Sequence, residues 1–142
     1  MLEKAIKIAA KAHKGQQDKG GEPYILHPLR LMLQCTNETD RIVAVLHDVV
    51  EDSPKYSFEK LRKKGASEEV LAALDALTRR VAEKEDYMLF IRRARANACA
   101  RRVKRRDLKD NMDLSRISNP SAADLERAEK YRMALDLLDE NE

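Results

Sequence analysis

The chain has 142 residues, 43% of them hydrophobic and 37% charged, with no tryptophan and 4% aromatic residues, a balance that suits a helical protein rather than a disordered one. Its length suits one domain able to bury its own core. Twenty-eight basic against 25 acidic residues leave a net charge of only +3, and no apolar run approaches the ~20 residues that a membrane span requires.

The opening Met1-Leu-Glu-Lys-Ala-Ile-Lys7 mixes charges through what would be the apolar part of a leader, so a cytoplasmic location is expected. Leu2, Ala5, Ile6, Ala9, Ala10 and His13 fall at helical spacing and predict an amphipathic helix ending near Lys14. His13 closes that apolar stripe, which favours a hydrogen-bonded structural role over metal binding. Gly15 to Glu22, with Gly20-Gly21, reads as a loop. Pro28 suits the first turn of a helix running to about Gln34, which puts His27 at that helix's N-terminal edge.

Asn37 with Asp40 three residues on predicts an N-terminal cap for a helix that includes Arg41 to Asp52 and is closed by Ser53-Pro54. At roughly 100° per residue, Ile42, Val43, Val45, Leu46, Val49 and Val50 form one apolar arc, and His47, Asp48, Glu51 and Asp52 share the opposite one. Further helices are expected over Ser57 to Lys64, Ser67 to Leu77, Asp86 to about Ala98, Cys99 to Arg116 and Ser121 to Asp139, the last capped by Ser121 with Asp124. Val81 to Glu85 is the expected mobile surface loop. No strand alternation, repeat or dividing linker interrupts the series, so residues 1–142 are expected to form one compact all-α domain. Cys35 and Cys99 lie in no redox or metal spacing and read as buried thiols.

Two places carry chemistry. Three carboxylates crowd the C-terminal end of the His47-Asp48 helix, where the helix dipole disfavours anions, and a bound cation would resolve the conflict. On the late helix Asp107 and Asn111 stand four residues apart on one face, with Asp110 near the same side. Either feature alone is commonly a solvated polar face. A third feature is the stretch from Ile91 to Asp107, with eight basic residues and no acidic one before Asp107: Arg92, Arg93, Arg95, Arg101, Arg102, Lys104, Arg105 and Arg106. Such a block either attracts a phosphorylated ligand or acidic partner or faces water. It lacks the interleaved aromatics of a single-strand nucleic-acid surface.

Taken in order, Ala12-His-Lys-Gly-Gln16, Gly21-Glu-Pro-Tyr-Ile-Leu-His-Pro28, Leu46-His-Asp-Val-Val-Glu-Asp52 and Val103-Lys-Arg-Arg-Asp-Leu-Lys-Asp-Asn111 resemble the hydrolase domain of the RelA/SpoT alarmone enzymes. The resemblance spans about residues 5 to 116. It implies an HD-domain, metal-dependent phosphohydrolase of the small, hydrolase-only type. By that resemblance His27, His47, Asp48 and Asp107 bind a divalent cation, usually manganese, with Asp110 the competing fourth ligand. Two imidazoles and two carboxylates suit a borderline ion that keeps positions open for water and phosphate oxygens. Glu51 and Asp52 match the acidic pair that prepares the attacking water, and Lys19, Asn111 and Lys104 fall at substrate-contacting positions.

The implied reaction is removal of the 3′-pyrophosphate of (p)ppGpp, a phosphorylated small-molecule nucleotide. The chain ends where the family's synthetase domain would begin, which implies hydrolysis without synthesis. Two departures bear on substrate: Asp18 stands where an arginine is typical, and Arg105-Arg106 replace a small apolar pair. The alternatives are a phosphohydrolase of another nucleotide and a non-catalytic nucleotide-binding module.

Overall fold

The computed structural model describes residues 1–140; the last two positions of the expected 1–142 span lie outside the described residues. The regular elements are all helices, with no strand among the described residues: α1 (Leu2–Ala12), α2 (Leu26–Gln34), α3 (Glu38–Leu46), α4 (Val49–Asp52), α5 (Phe58–Lys63), α6 (Glu68–Ala76), α7 (Tyr87–Arg95), α8 (Ala98–Met112) and α9 (Ala122–Asp139). An isolated backbone bridge between Gln17 and Pro23 closes the loop before α2.

The starts of most helices are written locally. Asn37, Ser57, Ser67, Asp86, Asn97 and Ser121 each accept a backbone N–H of the first turn, satisfying donors that have no partner within the helix. Ser121 and Asp124 form a reciprocal capping box.

α3 is the centre of the molecule. Ile42, Val43, Ala44, Val45 and Leu46 are all buried, so past its polar first turn, Glu38 to Arg41, the helix is apolar all round, as a segment enclosed by others must be, rather than two-faced as its periodicity suggests. It packs against α1, α2, α6 and α8, with Leu31, Leu46, Leu61, Leu74 and Val103 filling the space between them. Each such side chain contributes about 1.5–3 kcal/mol on burial. A second, smaller core of Phe90, Ile91, Leu108, Ala134 and Leu138 joins α9 to α7 and α8.

Three boundaries differ from expectation. The helix expected through Asp52 breaks after Leu46, because the His47 side chain donates from Nδ1 to the Ala44 carbonyl at 2.6 Å. That oxygen would otherwise accept the N–H of residue 48, and a side chain that takes over a backbone acceptor competes with the helix. α7 ends at Arg95 because Asn97 caps its successor. α8 ends at Met112 rather than Arg116: Asp113 turns extended, and the Arg116 guanidinium returns to the Asp110 carbonyl at 2.8 Å. The Val81–Glu83 stretch is a short 3₁₀ turn, and the next acidic residue, Glu85, is held by Arg93 at 2.6 and 2.8 Å.

Candidate metal centre

The break after α3 places His47 and Asp48 in a turn whose side chains face α2 and α8. There His27 from α2, His47 and Asp107 from α8 converge, their ligand atoms all within 4.8 Å of one another. His27 Nε2 lies 2.9 Å and His47 Nε2 3.4 Å from Asp107 Oδ1. The two rings stand edge to face, 5.2 Å apart. All three residues are buried.

Asp48 adjoins this group, with Oδ2 3.0 Å from His47 Nε2 and engaged by the Tyr24 hydroxyl. Despite two carboxylates so near, His47 Nε2 is buried with no hydrogen-bond partner among the described residues. His27 Nε2 and Asp107 Oδ1 are within hydrogen-bond distance of each other, but His47 Nε2 lacks the bond that a buried polar atom normally makes. Borderline nitrogen and hard oxygen donors in this number fit a divalent transition ion, so a divalent metal suits the residues present.

Protons respond to the same crowding. Burial would push His47 and His27 down, but the carboxylates of Asp48, Asp107 and Asp110 outweigh it and hold both imidazoles above their usual pKa. Burial would raise Asp107, yet the Lys104 ammonium and the two imidazoles hold it well below the carboxylate range.

The other expected residues distribute around this centre. Lys104 reaches Asp107 Oδ2 at 2.8 Å and lies over the Phe90 ring at 5.0 Å; its observed partner is the carboxylate beside it. Asn111 donates to Asp107 Oδ1 at 3.1 Å. Glu51 and Asp52, on α4, follow Asp48 within one helical turn and are exposed. Partial desolvation, then the charge on Asp48, raises both pKa values, and for Glu51 the N–H of Arg79, donated to Oε1 at 2.5 Å, partly offsets this. Asp52 Oδ2 accepts from Gln16 at 3.2 Å, and Gln16 Oε1 lies 3.0 Å from His13 Nδ1. His13 is buried, its ring 5.0 Å from that of Tyr24, which stands 5.6 Å from that of His27; the Nε2 of His13 has no hydrogen-bond partner among the described residues.

A cleft of about 310 Å³ opens beside His27, Asp110 and Asn111, walled by Lys19, Arg30, Arg127 and Tyr131 among others. Asp18 also borders it, but Oδ1 of this residue accepts the N–H groups of Gly20 and Glu22 at 2.9 and 3.0 Å, pinning the loop that carries Lys19. That loop comes so close to the chain after α8 that a Cβ on Gly20 would lie 2.6 Å from the Arg116 carbonyl oxygen. Gly21 takes a positive φ of 85°, which favours glycine.

The basic block is largely spoken for. Arg93 pairs with Glu85, Arg95 with Glu140, Arg102 with buried Asp40, Lys104 with Asp107 and Arg105 with Asp139. Tyr24, Arg30, Arg79 and Gln16 were not singled out from sequence. Tyr24 and Arg30 act across 24 and 80 residues of chain, and Arg79 contributes a backbone N–H, which leaves no residue-type signal. Both cysteines are free and buried.

No family model matches the chain. The molecule is all-α with a buried histidine–aspartate cluster, and over part of its length the chain is similar to proteins of the RelA/SpoT type. It is 38% identical over 96 residues to guanosine-3′,5′-bis(diphosphate) 3′-pyrophosphohydrolase of Haemophilus influenzae, covering 59% of this chain and 14% of that protein. It is 38% identical over 85 residues to the bifunctional (p)ppGpp synthase/hydrolase SpoT of Escherichia coli, covering 54% and 12%. It is 39% identical over 66 residues to the putative chloroplastic GTP diphosphokinase RSH1 of Arabidopsis thaliana, covering 44% and 8%. The matched segments thus span about a tenth of the length of these relatives.

Proposed function

We propose that residues 1–142 form an HD-type phosphohydrolase domain that hydrolyses a nucleotide pyrophosphate, with removal of the 3′-pyrophosphate of (p)ppGpp the first candidate. The observation that carries this reading is the convergence of His27, His47 and Asp107 around an unpartnered His47 Nε2, with two further carboxylates, Glu51 and Asp52, one turn beyond Asp48. His27, His47, Asp48 and Asp107 would hold a divalent ion, Mn²⁺ the leading candidate. That ion would supply charge neutralisation at a phosphate oxygen and a more acidic water.

The protein's own groups do the rest. Glu51 and Asp52 take the proton of the attacking water, for which carboxylates of raised pKa are suited. The water oxygen bonds to the phosphorus attached to the 3′ oxygen, the P–O3′ bond breaks, the departing 3′ oxygen takes up a proton in place of the one the water lost, and the products are pyrophosphate and a nucleoside 5′-di- or triphosphate with a free 3′ hydroxyl. Asn111 and Lys104 keep Asp107 aimed, and Lys19 meets the substrate at the cleft. The relatives named guanosine-3′,5′-bis(diphosphate) 3′-pyrophosphohydrolase and bifunctional (p)ppGpp synthase/hydrolase support this choice of substrate. The position of Asp18 favours a second reading, hydrolysis of another nucleotide, because the loop offers an anion already committed to its own backbone where a nucleotide-contacting cation is typical.

Purified protein with Mn²⁺ should release pyrophosphate from ppGpp, and chelation or Asp48→Ala should stop it. Turnover that survives both would overturn the mechanism. A nucleotide panel ranked by kcat/KM separates the two substrate readings.

A further inference from the structure

We propose that Asp110 is a positioning residue for His27, locked from behind by Arg30 and Arg116, and not itself a metal ligand. The proposal rests on the metal reading above and adds what fixes one of its imidazoles.

The two nitrogens of His27 face opposite ways. Nε2 points to Asp107 and the converging donors, while Nδ1 donates to Asp110 Oδ2 at 2.6 Å. Asp110 therefore lies across the ring from the point that His27 Nε2, His47 and Asp107 surround. Its oxygens are also taken. Arg30 forks onto it, Nε to Oδ1 at 2.9 Å and Nη2 to Oδ2 at 2.8 Å, a planar two-bond match that fixes a carboxylate's orientation as well as its place. Arg116 adds a contact to Oδ2 at 3.5 Å and grips the Asp110 carbonyl at 2.8 Å.

The Asp110 side chain is only 7% exposed, so this arrangement is enclosed rather than frayed by water. Three chain segments, α2, α8 and the turn after α8, meet in it. A carboxylate bonded to the far nitrogen of a ligating imidazole fixes its tautomer and ring plane and makes it a better donor; losing such a partner typically weakens metal binding 10–100-fold. Arg30 and Arg116 line the cleft, yet the guanidinium of Arg30 is committed to the Asp110 carboxylate and that of Arg116 to the Asp110 carbonyl and, at 3.1 Å, to Asp113 Oδ2. They act on the metal side of the site through His27 rather than as free phosphate ligands.

The test is calorimetric titration of the full chain with Mn²⁺, comparing wild type with Asp110→Ala, Asp110→Asn, Arg30→Met and Asp107→Ala, and with each variant's metal-free unfolding midpoint measured alongside. The expected result is affinity reduced 10–100-fold in Asp110→Ala, partly restored in Asp110→Asn, which keeps an acceptor for Nδ1–H, and reduced in the same direction in Arg30→Met. If Asp110→Ala fails to fold, Asp110→Asn and Arg30→Met carry the comparison. Wild-type affinity in folded Asp110→Asn and Arg30→Met overturns the positioning role. Binding abolished by Asp110→Ala but retained by Asp107→Ala makes Asp110 the ligand and overturns it equally. A flat wild-type titration removes the metal reading and this assignment together, and is distinguishable because no variant then differs from wild type.

Discussion

The Tyr24 hydroxyl donates to Oδ2 of Asp48, tying the approach to α2 to the turn between α3 and α4. The bond uses the same carboxylate oxygen that lies 3.0 Å from His47 Nε2, so Tyr24 holds Asp48 where it meets the histidine. Tyr24→Phe removes the donor and leaves a largely buried carboxylate short of a partner. It should lower stability by about 1.5–3 kcal/mol, the worth of a hydrogen bond to a charged group, read from the urea midpoint of the metal-free protein, and should weaken Mn²⁺ binding measured by calorimetry.

Adding Mn²⁺ should stabilise the chain. At 100 times its Kd, a ligand that binds only the folded state contributes about 2.7 kcal/mol, which for a domain of this size raises Tm by roughly 10 °C. Asp107→Ala should abolish that rise. Because neighbouring carboxylates outweigh burial and hold His27 and His47 above their usual pKa, these imidazoles must lose protons to bind metal, so affinity should fall as pH falls. Binding enthalpy that varies with buffer ionisation heat is the measurement that detects the released protons.

With Glu51 and Asp52 as the proposed bases, the pH profile should take its shape from them. Desolvation, then Asp48, lifts both, and each works as a base only when ionised. The acid limb of kcat/KM should therefore lie above the ~4 of ordinary carboxylates. The same shift costs stability at neutral pH, since the folded state holds the proton more tightly than the unfolded state does. Glu51→Gln keeps an acceptor for the Arg79 N–H and should lower turnover while raising Tm. That gain should vanish as pH falls to the ordinary carboxylate pKa, which thermal melts across a pH series will show.

Arg102 tests whether the basic block binds or builds. Asp40 is 2% exposed, and burial alone would raise its pKa; the Arg102 fork, at 2.7 and 2.9 Å, outweighs burial and lowers it. Arg102→Met should cost about 1–3 kcal/mol through the stranded acceptor and leave KM unchanged. The pair's contribution is complete above the ordinary carboxylate pKa and is lost as pH falls through the lowered value, so wild type and variant should converge in acid. A raised KM in folded Arg102→Met would reassign the residue to substrate binding.

Local chemistry made much of the fold legible. Asn37, Ser57, Ser67 and the Ser121–Asp124 box start helices where their sequence places them, because a cap needs only residues within one turn. The break at His47 was not legible: the apolar period runs unbroken through Val49 and Val50, and the side-chain bond to Ala44 that ends α3 leaves no trace in residue spacing. Asp107 and Asn111 could be put on one helix face, but the role of Asp110 depends on Arg30, 80 residues away. Likewise the Arg92 to Arg106 block looks like an anion surface when its acids, Asp40, Glu85 and Asp139, lie elsewhere in the chain.

The smaller core has a different kind of consequence. α9 rests on its own contacts with α7 and α8, and from it Arg127 and Tyr131 reach the cleft, whereas His27, His47 and Asp107 stand on α2, the α3–α4 turn and α8. Substitutions on one flank of α9 can thus remould the cleft without touching the histidine–aspartate cluster. On the proposed reading, ligand preference and reaction chemistry are free to diversify at separate rates.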